Sequence, residues 1–305
     1  MADTVELPDI AICQILHSLS TKFAVRASIL SKQWERVWPL VPVLDFDEDE
    51  NAPNGHNASP RQHRKFLEFV TMCLKRREED KLLHKFWLRM AYCYYCRDCA
   101  ELMDKCLSFA LDRNVIELHI AKSDYFLPHK VLNAECLTVL SMDSIQFRGD
   151  ETVTLPSLKS LSLICISFGD LGFHHLVAGC PSLENLSVVK CTGFEKRVIV
   201  KSSTLKSLEV FNSGVELQVE ALNLETFRFG QNGHASNYRR LLCNIQFSSC
   251  GALRNLAFFQ AWFVGAWFDN LSSKFPVLES LILYKCGIDR GDLKVFSKNL
   301  KHFVL

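Results

Sequence analysis

No sign of charge dominates this sequence: 35 lysines and arginines stand against 34 aspartates and glutamates, a formal net charge of +1. A protein that neutralises phosphates needs a basic stripe, so nucleic acid and anionic membrane surfaces are disfavoured as partners. Long apolar runs are missing as well. The least charged stretch, Asn255 to Phe268, falls short of the ~18 apolar residues a membrane-spanning helix needs, and Gln260 breaks it. The opening MADTVELPDI holds acids and a proline where a secretory signal holds a basic and then an apolar segment. The expectation is a chain of the cytoplasm or nucleus that crosses no membrane.

The short motifs of catalysis are absent too: no G-x-S-x-G, H-E-x-x-H, G-x-x-x-x-G-K-[ST] or G-x-G-x-x-G occurs. Nothing here reads as an enzyme. Cys93, Cys96 and Cys99, followed by Cys106, make two overlapping C-x-x-C pairs, a spacing that can serve zinc or an iron–sulfur cluster. The other half of such a site, a further C-x-x-C or H-x-x-x-H at the usual distance, is missing, so free thiols and no metal or cofactor are expected. His174-His175 reads as a solvated turn between repeats. Lys75-Arg76-Arg77, offset at once by Glu78-Glu79-Asp80, reads as an exposed helix end. The thirteen cysteines, an odd number, are scattered through apolar patterns such as Leu186–Cys191 and Leu281–Cys286, the usage of reduced thiols acting as small hydrophobes.

What the sequence does contain is a repeat. The pattern apolar-x-x-apolar-x-apolar occurs nine times, from Val115/Leu118/Ile120 to Leu300/Phe303/Leu305, with Leu83/Phe86/Leu88 as an irregular earlier copy. Its spacing of about 19–29 residues is mostly that of leucine-rich repeats. Side chains alternate along a strand, so the second and third apolar residues of each copy point the same way. One such strand cannot bury that face alone, but stacked copies form a parallel sheet with helices or turns behind it. PSLKSL, PSLENL and FPVLESL place proline just before the strand, where a missing N–H is tolerated.

Ahead of the repeats, Ser59-Pro60 with Gln62 forms a capping box for a helix carrying Phe66, Phe69, Val70, Cys73 and Leu74. Asp98 with Glu101 opens a second helix, carrying Met103, Cys106, Leu107, Ala110 and Leu111. DEDENAPNGHNAS between them and the N-terminus reads as an acidic linker. The first forty-five residues predict three short helices. The first carries Ile12, Ile15, Leu16 and Leu19. The second is capped by Thr21 and the third by Ser31. Trp34 and Trp38 share a face of the third, and Pro39 ends it. So small a module cannot bury that apolar surface by itself.

The Leu7-Pro8-Asp9 start, Ile15-Leu16 and Leu19, the Ala24-Val25-Arg26-Ala27-Ser28 helix, Leu30-Ser31-Lys32-Gln33-Trp34 and the following Val43-Leu44-Asp45-Phe46-Asp47 resemble an F-box, of the kind found in plant F-box proteins with leucine-rich repeats. Ile10 and Ala11 stand where that family usually has Glu-Ile, Ser20 where proline is common and Phe23 where an acid is usual. The chain ends on a repeat strand, as a member without the C-terminal extension of many relatives would. The resemblance implies an α/β fold: a three-helix F-box over 1–47, a linker and helix over 48–80, and a leucine-rich-repeat β/α solenoid with a curved parallel sheet over 81–305. It also implies a non-catalytic substrate adaptor of a Skp1–cullin–F-box ubiquitin ligase. Leu7, Pro8, Ile12, Ile15, Leu16, Leu19, Leu30, Trp34 and Trp38 would dock on the Skp1-type subunit, and through it on a cullin. The alternative is a repeat scaffold with a degenerate box.

Strand-equivalent positions fall in columns ~4.8 Å apart. One column reads Ala121, Asp143, Ile164, Val189, Phe211, Gly230, Phe259, Tyr284, and its neighbour His119, Ser141, Ser162, Ser187, Glu209, Arg228, Ala257, Ile282. The aromatic end, Phe211, Phe259 and Tyr284 with Glu209 and Arg228, is the expected protein-substrate site.

Overall fold

The computed structural model describes residues 7–51, 59–77, 82–90, 97–147, 152–168, 172–194, 197–231, 241–263, 267–268, 271–288 and 297–305. Its contacts divide the chain into two compact units, residues 1–140 and 141–305.

The first unit opens with α1 (Asp9–His17), α2 (Thr21–Ser28) and α3 (Lys32–Val37), which pack on one another. Ser31 caps α3 as predicted, its hydroxyl accepting the Trp34 amide at 3.3 Å. Thr21 does not cap α2. It is that helix's first residue, and its hydroxyl accepts the Asp45 amide at 2.7 Å, pinning β1 (Val43–Asp47) to the helices. Pro39 ends α3, and the chain passes into a 3-10 turn, Trp38–Leu40.

β1 pairs in parallel with β2 (Lys85–Arg89) and β2 with β3 (Glu117–Phe126). Leu44, Phe86 and Leu118 lie in one row, Phe46, Leu88 and Ile120 in another, all six buried. Leu83/Phe86/Leu88 is thus a true copy of the repeat, and the strand after the box is a sheet strand in its own right. α4 (Pro60–Lys75) starts with the predicted capping box, the Gln62 carbonyl accepting the Ser59 amide at 2.8 Å. Pairing with it is α5 (Arg97–Asp112).

Two charged residues read as exposed are buried. Glu48, at the start of the supposed linker, begins a 3-10 turn and sets Oε1 2.6 Å from Nδ1 of His63, whose Nε2 lies 3.0 Å from the Cys99 thiol. This buried chain fastens the turn to α4 and α5, because each member would be costly to bury alone. Arg77, assigned to an exposed helix end, instead donates to the Val41 carbonyl. Burial, with Arg113 nearby, lowers its pKa to about 10.

The boundary of the second unit falls within β4 (Val139–Gln146), and the chain continues as β5 (Ser160–Ile164), α6 (Phe173–Ala178), β6 (Asn185–Val189), β7 (Arg197–Ser202), β8 (Ser207–Phe211), β9 (Glu216–Ala221) and β10 (Thr226–Gly230). It ends with β11 (Leu241–Leu242), β12 (Ile245–Ser248), β13 (Asn255–Phe259), β14 (Ala261–Phe263), α7 (Leu271–Lys274), β15 (Ser280–Tyr284), β16 (Gly287–Ile288) and β17 (His302–Val304). The parallel sheet runs β5-β6-β8-β10-β13-β15-β17 without a register slip, so Leu161, Leu186, Leu208, Phe227, Leu256, Leu281 and Phe303 form one row. All but Phe303 are buried. β17 is the last strand of that order, so the third-residue side chain of its pattern, Leu305, and Phe303 itself stay exposed instead of joining the core.

Behind this sheet the chain uses strands as well as helices. β12-β9-β7 and β11-β14-β16 are small parallel sheets that were not predicted, the former burying Val198, Val200, Leu217, Val219 and Ile245 by simple alternation. His174 and His175 sit on α6, exposed, rather than in a turn.

Five strands of the main sheet, β5, β6, β8, β13 and β15, end the same way. Cys165, Lys190, Asn212, Gln260 and Lys285, each one residue past its strand, are left-handed with φ of 52–55°. At four of them the amide reaches the next strand: Lys190 donates to the Phe211 carbonyl and Gln260 to the Tyr284 carbonyl, both at 2.8 Å, as Cys165 and Asn212 do to Val189 and Gly230. Non-glycine residues pay for this conformation in steric energy. At the opposite end of the strands the charges alternate, Glu184 pairing with Lys206 at 2.7 Å and Glu279 with both Arg254 and Lys301 at 2.7 and 2.9 Å. A slip of one repeat would set like charges side by side, so the ladder helps specify register.

Gly230, the last residue of β10, has φ of 152°, and a Cβ there would lie 2.0 Å from the Phe259 carbonyl oxygen. Gly230→Ala is therefore expected to destabilise the second unit by ~2–4 kcal/mol, whereas Lys190→Gly should gain ~1 kcal/mol by removing left-handed strain. Thermal and urea unfolding of the two variants checks both signs.

Candidate functional site

Two surfaces present themselves, one in each unit. In the first, Leu7-Pro8-Asp9 and the α3 phrase meet in space. Gln33 donates to the Leu7 carbonyl at 2.7 Å and to the Asp9 carboxylate at 2.9 Å, and Arg36 pairs with that carboxylate at 3.0 Å. These contacts fix the start of α1 against α3. Ser20, in place of the common proline, donates to Glu50 at 2.6 Å.

The expected docking residues fall into two groups. Ile12, Leu16 and Trp38 are buried, Trp38 retaining only 2% of its surface. Within the chain these three side chains are turned inward, as one face of a short amphipathic module must be. Trp34 is half-buried, and Leu7, Pro8, Ile15, Leu19 and Leu30 are exposed. Sequence reading missed Ile29, the most exposed large apolar residue at 82%, beside Leu30 at 74% and Ile10 at 71%. Ile29 and Leu30 both follow the last residue of α2, Ser28, in the turn that leads to α3.

In the second unit the predicted columns are observed. Ile164, Val189, Phe211, Gly230, Phe259 and Tyr284 lie in register, beside Ser162, Ser187, Glu209, Arg228, Ala257 and Ile282. Gly230 has no side chain to separate its neighbours, so the rings of Phe211 and Phe259, two strands apart, close to 5.5 Å. The Arg228 guanidinium lies 5.8 and 5.5 Å from these rings and is held by Glu209 at 2.8 Å. Phe211 is consequently buried, which corrects its assignment as a contact residue: it supports the face and does not present it. Phe259 is partly exposed, and Tyr284, 6.2 Å from it, is exposed. The first unit has an aromatic pair on its own strands, Trp87 stacked on His119 at 4.8 Å with Lys85 over the indole, which sequence reading did not single out. Burial next to Lys85 lowers the His119 pKa.

Comparison with known proteins bears on both surfaces. Residues 5–45 match the F-box domain, and residues 103–261 match the repeats of "FBD-associated F-box protein At5g56370, LRR repeats". The chain belongs to the F-box/leucine-rich-repeat family. Arabidopsis thaliana F-box/LRR-repeat protein 13 is 29% identical over 249 residues, covering 76% of this chain and 52% of that protein. F-box/LRR-repeat protein At3g59210 is 36% identical over 195 residues, 60% and 38% of the two chains, and F-box/FBD/LRR-repeat protein At1g78750 is 27% identical over 245 residues, 75% and 53%. This F-box/LRR chain thus spans about half the length of the first curated relatives it matches.

Among the described residues no group of three or more histidines, cysteines or carboxylates is placed to hold a metal, and no helix is long and apolar enough to cross a membrane. Cys93 and Cys96 lie outside the described residues; Cys99 is buried, its thiol against His63.

The thiols should divide by burial. Desolvation pushes the pKa of Cys73, Cys106 and Cys180 up to about 12 and that of Cys191 to about 11, whereas Cys136 and Cys165 are exposed. Only the thiolate reacts. Maleimide labelling at pH 8 with peptide mapping is expected to modify Cys136 and Cys165 within minutes, and the four buried thiols only in denaturant.

Proposed function

We propose that this F-box/LRR protein is a non-catalytic substrate adaptor of a Skp1–cullin–F-box ubiquitin ligase, working in the cytoplasm or nucleus. The observation that carries the reading is the apolar surface left open on α1 to α3: Ile10, Ile29 and Leu30, with Leu7, Ile15, Leu19 and Phe23, in the part of the chain that matches the F-box. A soluble protein seldom leaves so many large apolar side chains uncovered on one small module unless a partner covers them. The departures at Ile10 and Phe23 add apolar area, which favours a competent box over a degenerate one. The eleven described cysteines form no disulfide, which suits a reducing compartment. The repeats hold the protein to be ubiquitinated, and the open face around Phe259, Tyr284, Arg228 and Glu209 is where we place that contact. Large aromatics supply area at low entropic cost, while the ion pair orients the client.

Affinity for a purified Skp1-type subunit tests the docking surface. The double variant Ile29→Asp/Leu30→Asp is expected to weaken binding about a hundredfold while leaving the circular dichroism melt intact, because neither side chain is in the core. Undiminished binding by that folded variant would refute the surface.

Client recovery after crosslinking in cells tests the second contact. Tyr284→Ala and Arg228→Ala should each reduce recovery about thirtyfold, and Ser162→Ala hardly at all. Equal recovery by all three would move the client elsewhere on the chain.

A further inference from the structure

The second unit carries an opening used neither by the box nor by the aromatic face of its sheet. Between α6 and β7 lies a pocket of about 430 Å³, within the ~300–1,000 Å³ typical of small-molecule sites. Its walls are apolar: Phe173, Val177 and Ala178 from the helix, Val198 and Ile199 from the strand. β7 alternates, so Val198 and Val200 enter the core while Ile199 remains 47% exposed in the opening. A large β-branched side chain is thus held against water by the fold itself.

Among the described residues lining the pocket the ionisable ones are His174, Arg197 and Lys201, with Glu216 and Glu220 opposite Arg197 and Lys201 on β9. Lys201 is shared with Glu220 at 3.6 Å, but Arg197 has no ion-pair partner among the described residues. The His174 ring is positioned rather than free. It packs on Gly172, where a Cβ would come within 2.7 Å of the ring, and lies 4.0 Å from the ring of His175. An apolar cleft with an arginine that has no ion-pair partner among the described residues is complementary to a molecule with an apolar body and one negative head.

We propose that the α6–β7 pocket binds a free amphipathic monoanion, a carboxylate with an apolar body of about ten to twelve carbons. The body lies between Val177, Ala178 and Ile199. Arg197 takes the carboxylate through its two-pronged guanidinium, and Lys201 adds a single charge.

Titration calorimetry of the 305-residue protein with monomeric dodecanoate tests this. Saturable one-to-one binding with Kd of about 10–100 µM is expected, weakened at least ~10-fold by Arg197→Glu and at least ~10-fold for dodecyltrimethylammonium, which has the same tail and the opposite charge. Ala178→Trp, at an exposed helix position, should fill the cleft and abolish binding with the melting temperature unchanged. If that variant fails to fold, Ile199→Asp makes the same test from the opposite wall. No saturable binding by the wild type, equal affinity for the two head groups, or indifference to these substitutions overturns the proposal. So does binding only to phosphatidylserine vesicles and not to free dodecanoate, which would assign the cations to a membrane surface.

Discussion

A strand with one apolar pair cannot shield that pair by itself, and the rest of this structure follows from that constraint. Leu208 is covered because Leu186 and Phe227 lie beside it in the same row, and they in turn are covered by their own neighbours. Burying a side chain of this kind is worth ~1.5–3 kcal/mol relative to leaving it exposed. The gain is realised only if the register holds across consecutive strands. The left-handed residues after the strands and the alternating charges before them serve this end. One brings successive strand ends together, and the other opposes displacement.

The candidate sites are what the stacking leaves over. Strand positions three and five lie outside the buried rows, so they can carry Glu209, Arg228 and Tyr284. Gly230 shows how tightly the two roles are joined. The close approach of the Phe259 backbone leaves no room for a side chain there, and the vacancy lets Phe211 and Phe259 meet beneath Arg228. The helical module shows the same division: Ile12, Leu16 and Trp38 are buried, and Ile29 and Leu30 stay exposed.

Most of the repeat architecture was legible because period and register are local properties of sequence. The apolar triplets gave every main strand from β3 onward, and the capping box of α4 and the Ser31 cap of α3 were each read from four residues. What escaped had two causes. Burial of a polar group depends on partners distant in sequence, so Glu48 looked like part of a linker until His63 and Cys99 were placed beside it, and Arg77 like a helix tail until Val41 was. Short alternating segments such as Glu216–Ala221 were readable as strands, but the repeat pattern drew attention to one strand per copy. The burial of Ile12, Leu16 and Trp38 escaped for a related reason. A helical wheel identifies which residues share a face, but in so small a module it does not say which of the two apolar faces is turned inward.

The central claim is a division of labour, with the partner subunit bound by α1 to α3 and the repeats left free to hold a client. Hydrogen–deuterium exchange of the chain, alone and bound to a Skp1-type subunit, tests it most directly. The account predicts added protection confined to residues 7–40, with exchange in β5 through β15 unchanged. Protection centred on the repeat strands, with α1 to α3 exchanging as in the free chain, would contradict it.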